Sequence, residues 1–362
     1  MSIKGNKGEW SEFYAFIKIL TDGEMFAADK NLDILKDKFF TVLKIIREEK
    51  KNKKFYDISN NDGKVVVSEE ISDRTKVVDL KNIKNKIADI FSEMKNSSDT
   101  TFEIALADGV MKDLECSQIR ASSGRKSDIF VVIHDRISPT FQELGFSVKS
   151  MLGSPSTLLN ASGSTNFVYE VTGLKNKLDD SLNAIEGSSK VRNRTKKIYN
   201  AGGNLEFCGV DSDAFRKNLV KIDSNFPAIM AEVLKIYFND KGTKITDLVD
   251  YLAKDEALKE KFGLTKSDYE YKIKNFLSAV ALGMMPNKEW DGFTKAHGGY
   301  IIVKENGDVV CYHLYNRDEF EEYLYRNTKL DTPSTTKHNF GKIYTEKGVQ
   351  KFKYNLQIRF IK

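Results

Sequence analysis

The chain has 362 residues, 40% of them apolar and 30% charged, which suits a folded protein with a sizeable core and excludes a disordered one. Its 57 basic residues against 52 acidic ones give a net charge of +5, a mild excess that permits nucleic-acid binding without demanding it, because clustering on one face decides. No apolar run reaches the roughly 18–20 residues of a membrane span, and residues 1–10 are too polar for a signal peptide, so a cytoplasmic protein is expected.

In chain order, Trp10, Phe13, Phe16, Ile17 and Leu20 recur at helical spacing and predict a helix over residues 8–20. Glu9 and Glu12 fall in its first turns, where carboxylates suit the helix dipole. A second helix is predicted over 35–49, followed by a basic stretch at 50–54. Asn61, Asp62 and Gly63 predict a turn into a short strand at 65–67, and residues 80–94 read as a further amphipathic helix. Residues 129–133 form a continuous apolar run of strand length, as expected of a strand covered on both faces. Residues 144–149 predict a second strand. The polar stretch around Pro139 predicts the turn that joins the two as a hairpin, and 166–171 predict a third strand.

From Asp211 onward the pattern is helical, with helices predicted at 226–238, 245–252 and 269–285. A hairpin follows, 300–303 and 309–312 about an Asn306-Gly307 type I′ turn, then a helix at 318–325 and a last strand at 356–361. The expected fold class is mixed α/β, with an α-helical region and a C-terminal β hairpin. The expected division is 1–210, 211–290 and 291–362.

Three scattered cysteines, Cys116, Cys208 and Cys311, form neither a disulfide framework nor a zinc site and read as buried apolar residues. The four histidines lack metal-ligand spacing, and no phosphate-binding glycine loop or nucleophile elbow is present. The sharpest constellation is Asp128 and Lys149. Asp128 precedes the first strand of the predicted hairpin and Lys149 ends the second, so both come to one end of a sheet. A carboxylate can hold a hard divalent cation, the cation can acidify a water, and a lysine can orient that water and stabilise phosphoryl charge. Spacing alone does not separate this from an ordinary pair of strand-end residues.

The loop after Lys149 carries Ser150, Ser154, Ser156, Thr157 and Asn160, whose hydroxyl and amide groups suit phosphates or base edges. Lys190, Arg192 and Arg194, with Lys196 and Lys197, form a basic strip near Tyr199 that could track a phosphate backbone or simply face solvent. Arg120, Arg125 and Lys126, just before Asp128, are further phosphate-contact candidates.

Three blocks carry a resemblance: Asn6-Lys7-Gly8-Glu9-Trp10-Ser11-Glu12; Gly145-Phe146-Ser147-Val148-Lys149-Ser150 with the Leu152 to Ala161 stretch that follows; and Asn355-Leu356-Gln357-Ile358-Arg359-Phe360. Together they resemble the HpaII-type restriction endonucleases, from the first ten residues to the last ten. The resemblance implies a type II restriction endonuclease that cuts duplex CCGG with Mg2+ and leaves a 5′-phosphate and a 3′-hydroxyl. It also implies a PD-(D/E)XK core, a mixed β-sheet flanked by helices, and a cognate DNA methyltransferase as functional partner. A palindromic site invites a homodimer on DNA.

Asp128 matches the first acid of that core and Lys149 its lysine, while Ser147 stands where the pattern has the second acid. Glu143 shares the strand face of Ser147 but lies too far along it to substitute. Glu9 and Glu12 are therefore the candidates to complete the metal site with Asp128. The alternative is a catalytically degenerate DNA-binding protein of the same fold, supported by Ser147.

Overall fold

The computed structural model describes residues 3–50, 52–60, 62–121, 127–134, 141–174, 179–294, 296–313 and 316–361. Arg125, Lys126 and the turn expected around Pro139 lie outside these residues. Backbone contacts divide the chain into two compact units: unit 1 is Met1–Ser156 with Thr294–Tyr323, and unit 2 is Thr157–Phe293 with Leu324–Lys362.

The chain opens with α1 (Lys7–Asp22). Its start is fixed by a reciprocal cap. The Asn6 side chain accepts from the Glu9 N–H at 3.0 Å, and the Glu9 carboxylate accepts from the Asn6 N–H at 2.9 Å. Gly23, at φ 70°, ends it in the left-handed conformation. β1 (Glu24–Ala28) and β2 (Ile34–Glu49) follow.

β2 corrects the helix predicted over 35–49. Thr41, Val42, Ile45 and Ile46 are β-branched and favour the pleated chain. The strand is held from both sides: β1 pairs with its first half, and the later strands β3 (Asn52–Asp57) and β6 (Ile129–His134) pair with its second. Tertiary pairing overrides the helix propensity of its leucines, lysines and glutamates.

Next come β3 (Asn52–Asp57), β4 (Lys64–Glu69) and β5 (Ser72–Asp79). The single helix predicted over 80–94 is two, α2 (Leu80–Lys84) and α3 (Ile87–Asn96), and α4 (Ala105–Asp113), β6 (Ile129–His134) and β7 (Phe141–Ser150) complete the first pass through unit 1. Unit 2 begins with β8 (Thr157–Leu159), β9 (Asn166–Thr172), α5 (Asp179–Asn183), α6 (Lys190–Asn200) and β10 (Asn204–Val210). Further helices of this unit follow, α7 (Asp213–Ile222), α8 (Phe226–Phe238), α9 (Ile245–Lys254), α10 (Glu256–Phe262) and α11 (Lys266–Leu282). The chain re-enters unit 1 with β11 (Gly299–Val303), β12 (Val309–His313) and α12 (Arg317–Arg326), then ends with β13 (Thr328–Leu330), α13 (Thr335–His338), β14 (Ile343–Glu346), β15 (Val349–Asn355) and β16 (Ile358–Phe360).

Unit 1 is built on a mixed sheet in the order β1-β12-β11-β7-β6-β2-β3-β4-β5. β11 runs parallel to β7, and β1 parallel to β12; the other neighbours are antiparallel. Because β1 also pairs with β2, the strands β1, β12, β11, β7, β6 and β2 are linked in a closed ring of pairings. α1 buries Trp10, Phe13, Phe16, Ile17 and Leu20 against residues of that sheet, among them Ile45, Tyr56, Val131, Phe146, Val148 and Ile301. Gly299 enters β11 at φ 111°, where a Cβ would fall 1.9 Å from the Tyr312 carbonyl oxygen, so only glycine fits.

Unit 2 contains an antiparallel sheet β10-β9-β15-β14 and a small sheet β13-β16-β8. Phe238 of α8 stacks on Tyr354 of β15 at 4.4 Å between ring centroids. Cys116 and Cys311 are buried as expected, whereas Cys208 on β10 is exposed, which corrects the expectation that all three are buried. Among the described residues, no helix is long and apolar enough to cross a membrane.

Candidate active site

The site residues of unit 1 are ordered by one strand register. β6 and β7 pair antiparallel with Ile129 opposite Phe146, so Asp128, one residue earlier, falls beside Ser147. The Asp128 N–H donates to the Phe146 carbonyl at 2.8 Å. In return Asp128 Oδ2 accepts from the Val148 N–H at 2.7 Å and from the Ser147 hydroxyl at 3.0 Å. Three hydrogen bonds thus fix both the backbone and the carboxylate of Asp128, and among the described residues Oδ1 accepts none. Gly145 makes the approach possible: a Cβ there would lie 2.4 Å from Ser127 Oγ and 2.9 Å from the Phe130 ring. Lys149 follows Ser147 by two residues, and its ammonium sits 5.4 Å from the ring centroid of buried Tyr300, which pairs with Ser147 across the parallel β7–β11 register.

Glu12, half-buried on α1, shares this electrostatic field. Burial and the neighbouring charge of Asp128 push its carboxyl up to about 8, against the opposing pull of Arg120, Arg47 and Lys149. Among the described residues no donor reaches its oxygens.

A group with this shift is better protonated in the fold than in the unfolded chain, where its ordinary value is 4.5. Its contribution to stability is present below about 4.5 and lost as the pH rises through about 8. In metal-free buffer Glu12→Gln should therefore match the parent at pH 4.5 and exceed it by about 1–3 kcal/mol above pH 8, a value discounted for the partial exposure of the group. Unfolding curves across that range check this, and a constant difference at every pH would contradict it.

Glu9 behaves differently. Its carboxylate serves the α1 cap and lies 3.6 Å from the exposed Arg120 guanidinium. Glu9 and Arg120, with Ile3, Lys4 and residues 117–119, line an open cavity of about 500 Å³. Among the described residues no cluster of three or more His, Cys, Asp or Glu side chains is arranged to hold a metal ion. Asp128 and Glu12 are near enough to interact electrostatically.

The loop after β7 is knitted by its own serines. Ser150 Oγ lies 2.8 Å from Ser11 Oγ and accepts from the Leu152 N–H at 3.0 Å, and the Ser156 hydroxyl donates to the Ser150 carbonyl at 3.2 Å. Ser154 is exposed. In unit 2, Thr157 is half-buried at the start of β8 and Asn160 is exposed just beyond it.

The basic strip on α6 is largely engaged in ion pairs within unit 2. Lys190 pairs with Glu186 at 2.8 Å, and Arg192 pairs with Asp240 at 2.8 Å while lying over the Tyr237 ring. Arg194 corrects the expectation of a DNA contact. It is fully buried and donates to the carbonyls of Gly341, Asn183 and Ile185 at 2.6–2.8 Å. The signal was in the sequence, since Val191, Arg194, Thr195 and Ile198 share one helix face and all are buried.

A carboxylate locked by hydrogen bonds, a second one without donors among the described residues and a strand-end lysine are groups chemically suited to a hard cation and a phosphate. The class to which the chain belongs is that of the type II restriction endonucleases, site-specific deoxyribonucleases: it is 40% identical over 358 residues to the type II restriction enzyme HpaII of Haemophilus parainfluenzae, covering 99% of this chain and 98% of that protein. Within that class the chain belongs to the HpaII restriction endonuclease family, whose model matches residues 6–360. No solved structure matches it.

Proposed function

We propose that this endonuclease cuts both strands of duplex DNA at the palindrome CCGG with magnesium as cofactor, and that Asp128, Glu12 and Lys149 form its active site on a PD-(D/E)XK core in unit 1. The observation that carries the reading is the β6–β7 register, which sets Asp128 beside Ser147 with Lys149 two residues farther on. CCGG and magnesium are what the family resemblance implies.

The donor set fits the ion. Magnesium is commonly held through one or two protein carboxylates, with water and phosphate oxygens completing its shell. Among the described residues Asp128 keeps one oxygen without a hydrogen bond, and Glu12 is a carboxylate whose charge is costly in this fold. When bound, the ion would polarise the scissile phosphate and lower the pKa of a water.

Ser147 takes a supporting part. It stands where an acid is expected and donates to Asp128 instead, holding that carboxylate in one orientation. Glu12, from the first helix, supplies the second carboxylate. Lys149, braced on the Tyr300 ring, donates to the attacking water and to the phosphoryl oxygens, stabilising the charge that develops there. Ser154, Asn160 and Arg120 are exposed and chemically suited to phosphate or base contacts. A homodimer on the palindrome and a methyltransferase of the same specificity complete the reading.

A plasmid carrying CCGG sites tests it. Magnesium should yield discrete fragments with 5′-phosphate ends, and a plasmid stripped of CCGG should stay intact. Cutting at other sequences would overturn the specificity, and cutting undiminished in EDTA would overturn the metal.

A further inference from the structure

Arg47 and Glu49 follow Ile45 on the core-facing side of β2 and are 3% and 2% exposed. A charged pair buried this deeply is poor support for stability alone, because both ions lose their water and an apolar pair of similar volume often packs as well. What distinguishes the pair is what it holds. The Arg47 guanidinium lies 4.6 Å from the Phe16 ring centroid and 5.9 Å from that of Phe13 on α1. It donates to the carbonyls of Gln118 at 3.0 Å and Ile119 at 3.1 Å, and lies 3.4 Å from Glu49. Glu49 in turn accepts from the Ser117 N–H at 2.7 Å and the Ser117 hydroxyl at 2.8 Å.

Three successive residues that belong to no helix or strand are therefore pinned by side chains of β2. Among the described residues Arg47 Nε has no acceptor, so the fit is to the segment and not to the guanidinium's own needs. The next residue is Arg120, which faces Glu9 at 3.6 Å and acts on Glu12.

We propose that the Arg47–Glu49 pair is a positioning device for the DNA site: it fixes residues 117–119 so that Arg120 stands at the mouth of the site, where a backbone phosphate beside the scissile one replaces Glu9 as its partner. This rests on the active-site reading above. An arginine exchanges a carboxylate for a phosphate readily, since both accept its planar fork. Arg47 and Glu49 touch no substrate and act only through the segment they hold.

The test compares Arg47→Met/Glu49→Leu, Arg120→Gln and their combination, by single-turnover cleavage in magnesium and duplex affinity in calcium. The apolar pair should stay folded and lose about 10-fold or more in cleavage, the scale of a small misplacement. Arg120→Gln alone should lose a comparable factor, and adding it to the apolar pair should cost less than about twofold more, because both act through one contact. Independent losses that multiply would overturn the proposal, as would a silent Arg120→Gln or wild-type cleavage by the apolar pair. If the apolar pair fails to fold, Arg47→Lys decides. It keeps the charge but cannot reach both carbonyls and Glu49 together, so it should lose about 10-fold or more in cleavage at a temperature well below its melting point, where the protein is fully folded; unchanged cleavage would overturn the proposal. Undiminished cleavage by Asp128→Asn or Lys149→Ala would count against the active-site reading instead.

Discussion

Lys149→Ala should slow single-turnover cleavage by about 10²–10⁴-fold, the range expected when a group serving proton transfer or transition-state charge is removed. Its affinity for a CCGG duplex in calcium should stay within about threefold of the parent, because only an interaction made in the transition state is lost. The side chain leaves a half-buried position at the end of β7, and its packing partner, the Tyr300 ring, is held independently by Phe320 at 5.1 Å. The fold should therefore survive the change. Asp128→Asn should lose as much cleavage, and it keeps the acceptor for the Val148 N–H, so it tests charge and not shape. Cleavage within about tenfold of the parent in either variant would remove that residue from the reaction.

Arg194→Ala should destabilise unit 2 by about 3–5 kcal/mol, because it leaves buried carbonyls without donors and opens a cavity. Gly341, Asn183 and Ile185 all lose a hydrogen bond of 2.6–2.8 Å at once. Arg194→Lys should recover little, since a point-like ammonium cannot serve carbonyls spread across the guanidinium fork. Urea unfolding measures the loss. DNA affinity per folded molecule should be unchanged, and a stable Arg194→Ala protein with weakened DNA binding would restore the role first read from the basic strip.

Elements with strong local signals were legible in the sequence. α1, α8 and the two strands of the hairpin β11–β12 follow from apolar spacing, and the expected pairing of 129–133 with 144–149 brought Asp128 and Lys149 to one end of a sheet. The expected type I′ turn is corrected: Asn306 does not take a positive φ, and the Gly307 N–H donates to the Lys304 carbonyl at 3.1 Å, so Glu305 and Asn306 are the central residues. β2 was not legible, because Lys36, Lys38, Lys44 and Glu48 favour helices locally while the pairings that stabilise the strand come from β1, β3 and β6. With β2 misread, Arg47 and Glu49 could not be seen as neighbours on one core-facing edge. The choice between Glu9 and Glu12 stayed open for a different reason. Asn6-Lys7-Gly8-Glu9 carries the capping-box pattern and so assigns Glu9 a structural task, but only the fold reveals that Glu12 acts on Asp128. Charge density alone marks Arg194 as a DNA contact, whereas its helical phase, shared with Val191 and Ile198, points inward.

Glu12, and not Glu9, is proposed to join Asp128 around the cation. Single-turnover cleavage of a CCGG duplex in saturating magnesium by Glu12→Gln and by Glu9→Gln tests it most directly. Glutamine at position 9 can still accept from the Asn6 N–H and keep the α1 cap. Glu12→Gln should lose about 10²-fold or more, as expected for a metal-holding carboxylate, and Glu9→Gln should stay within a few-fold of the parent. Near-normal cleavage by Glu12→Gln with a large loss in Glu9→Gln would contradict the account.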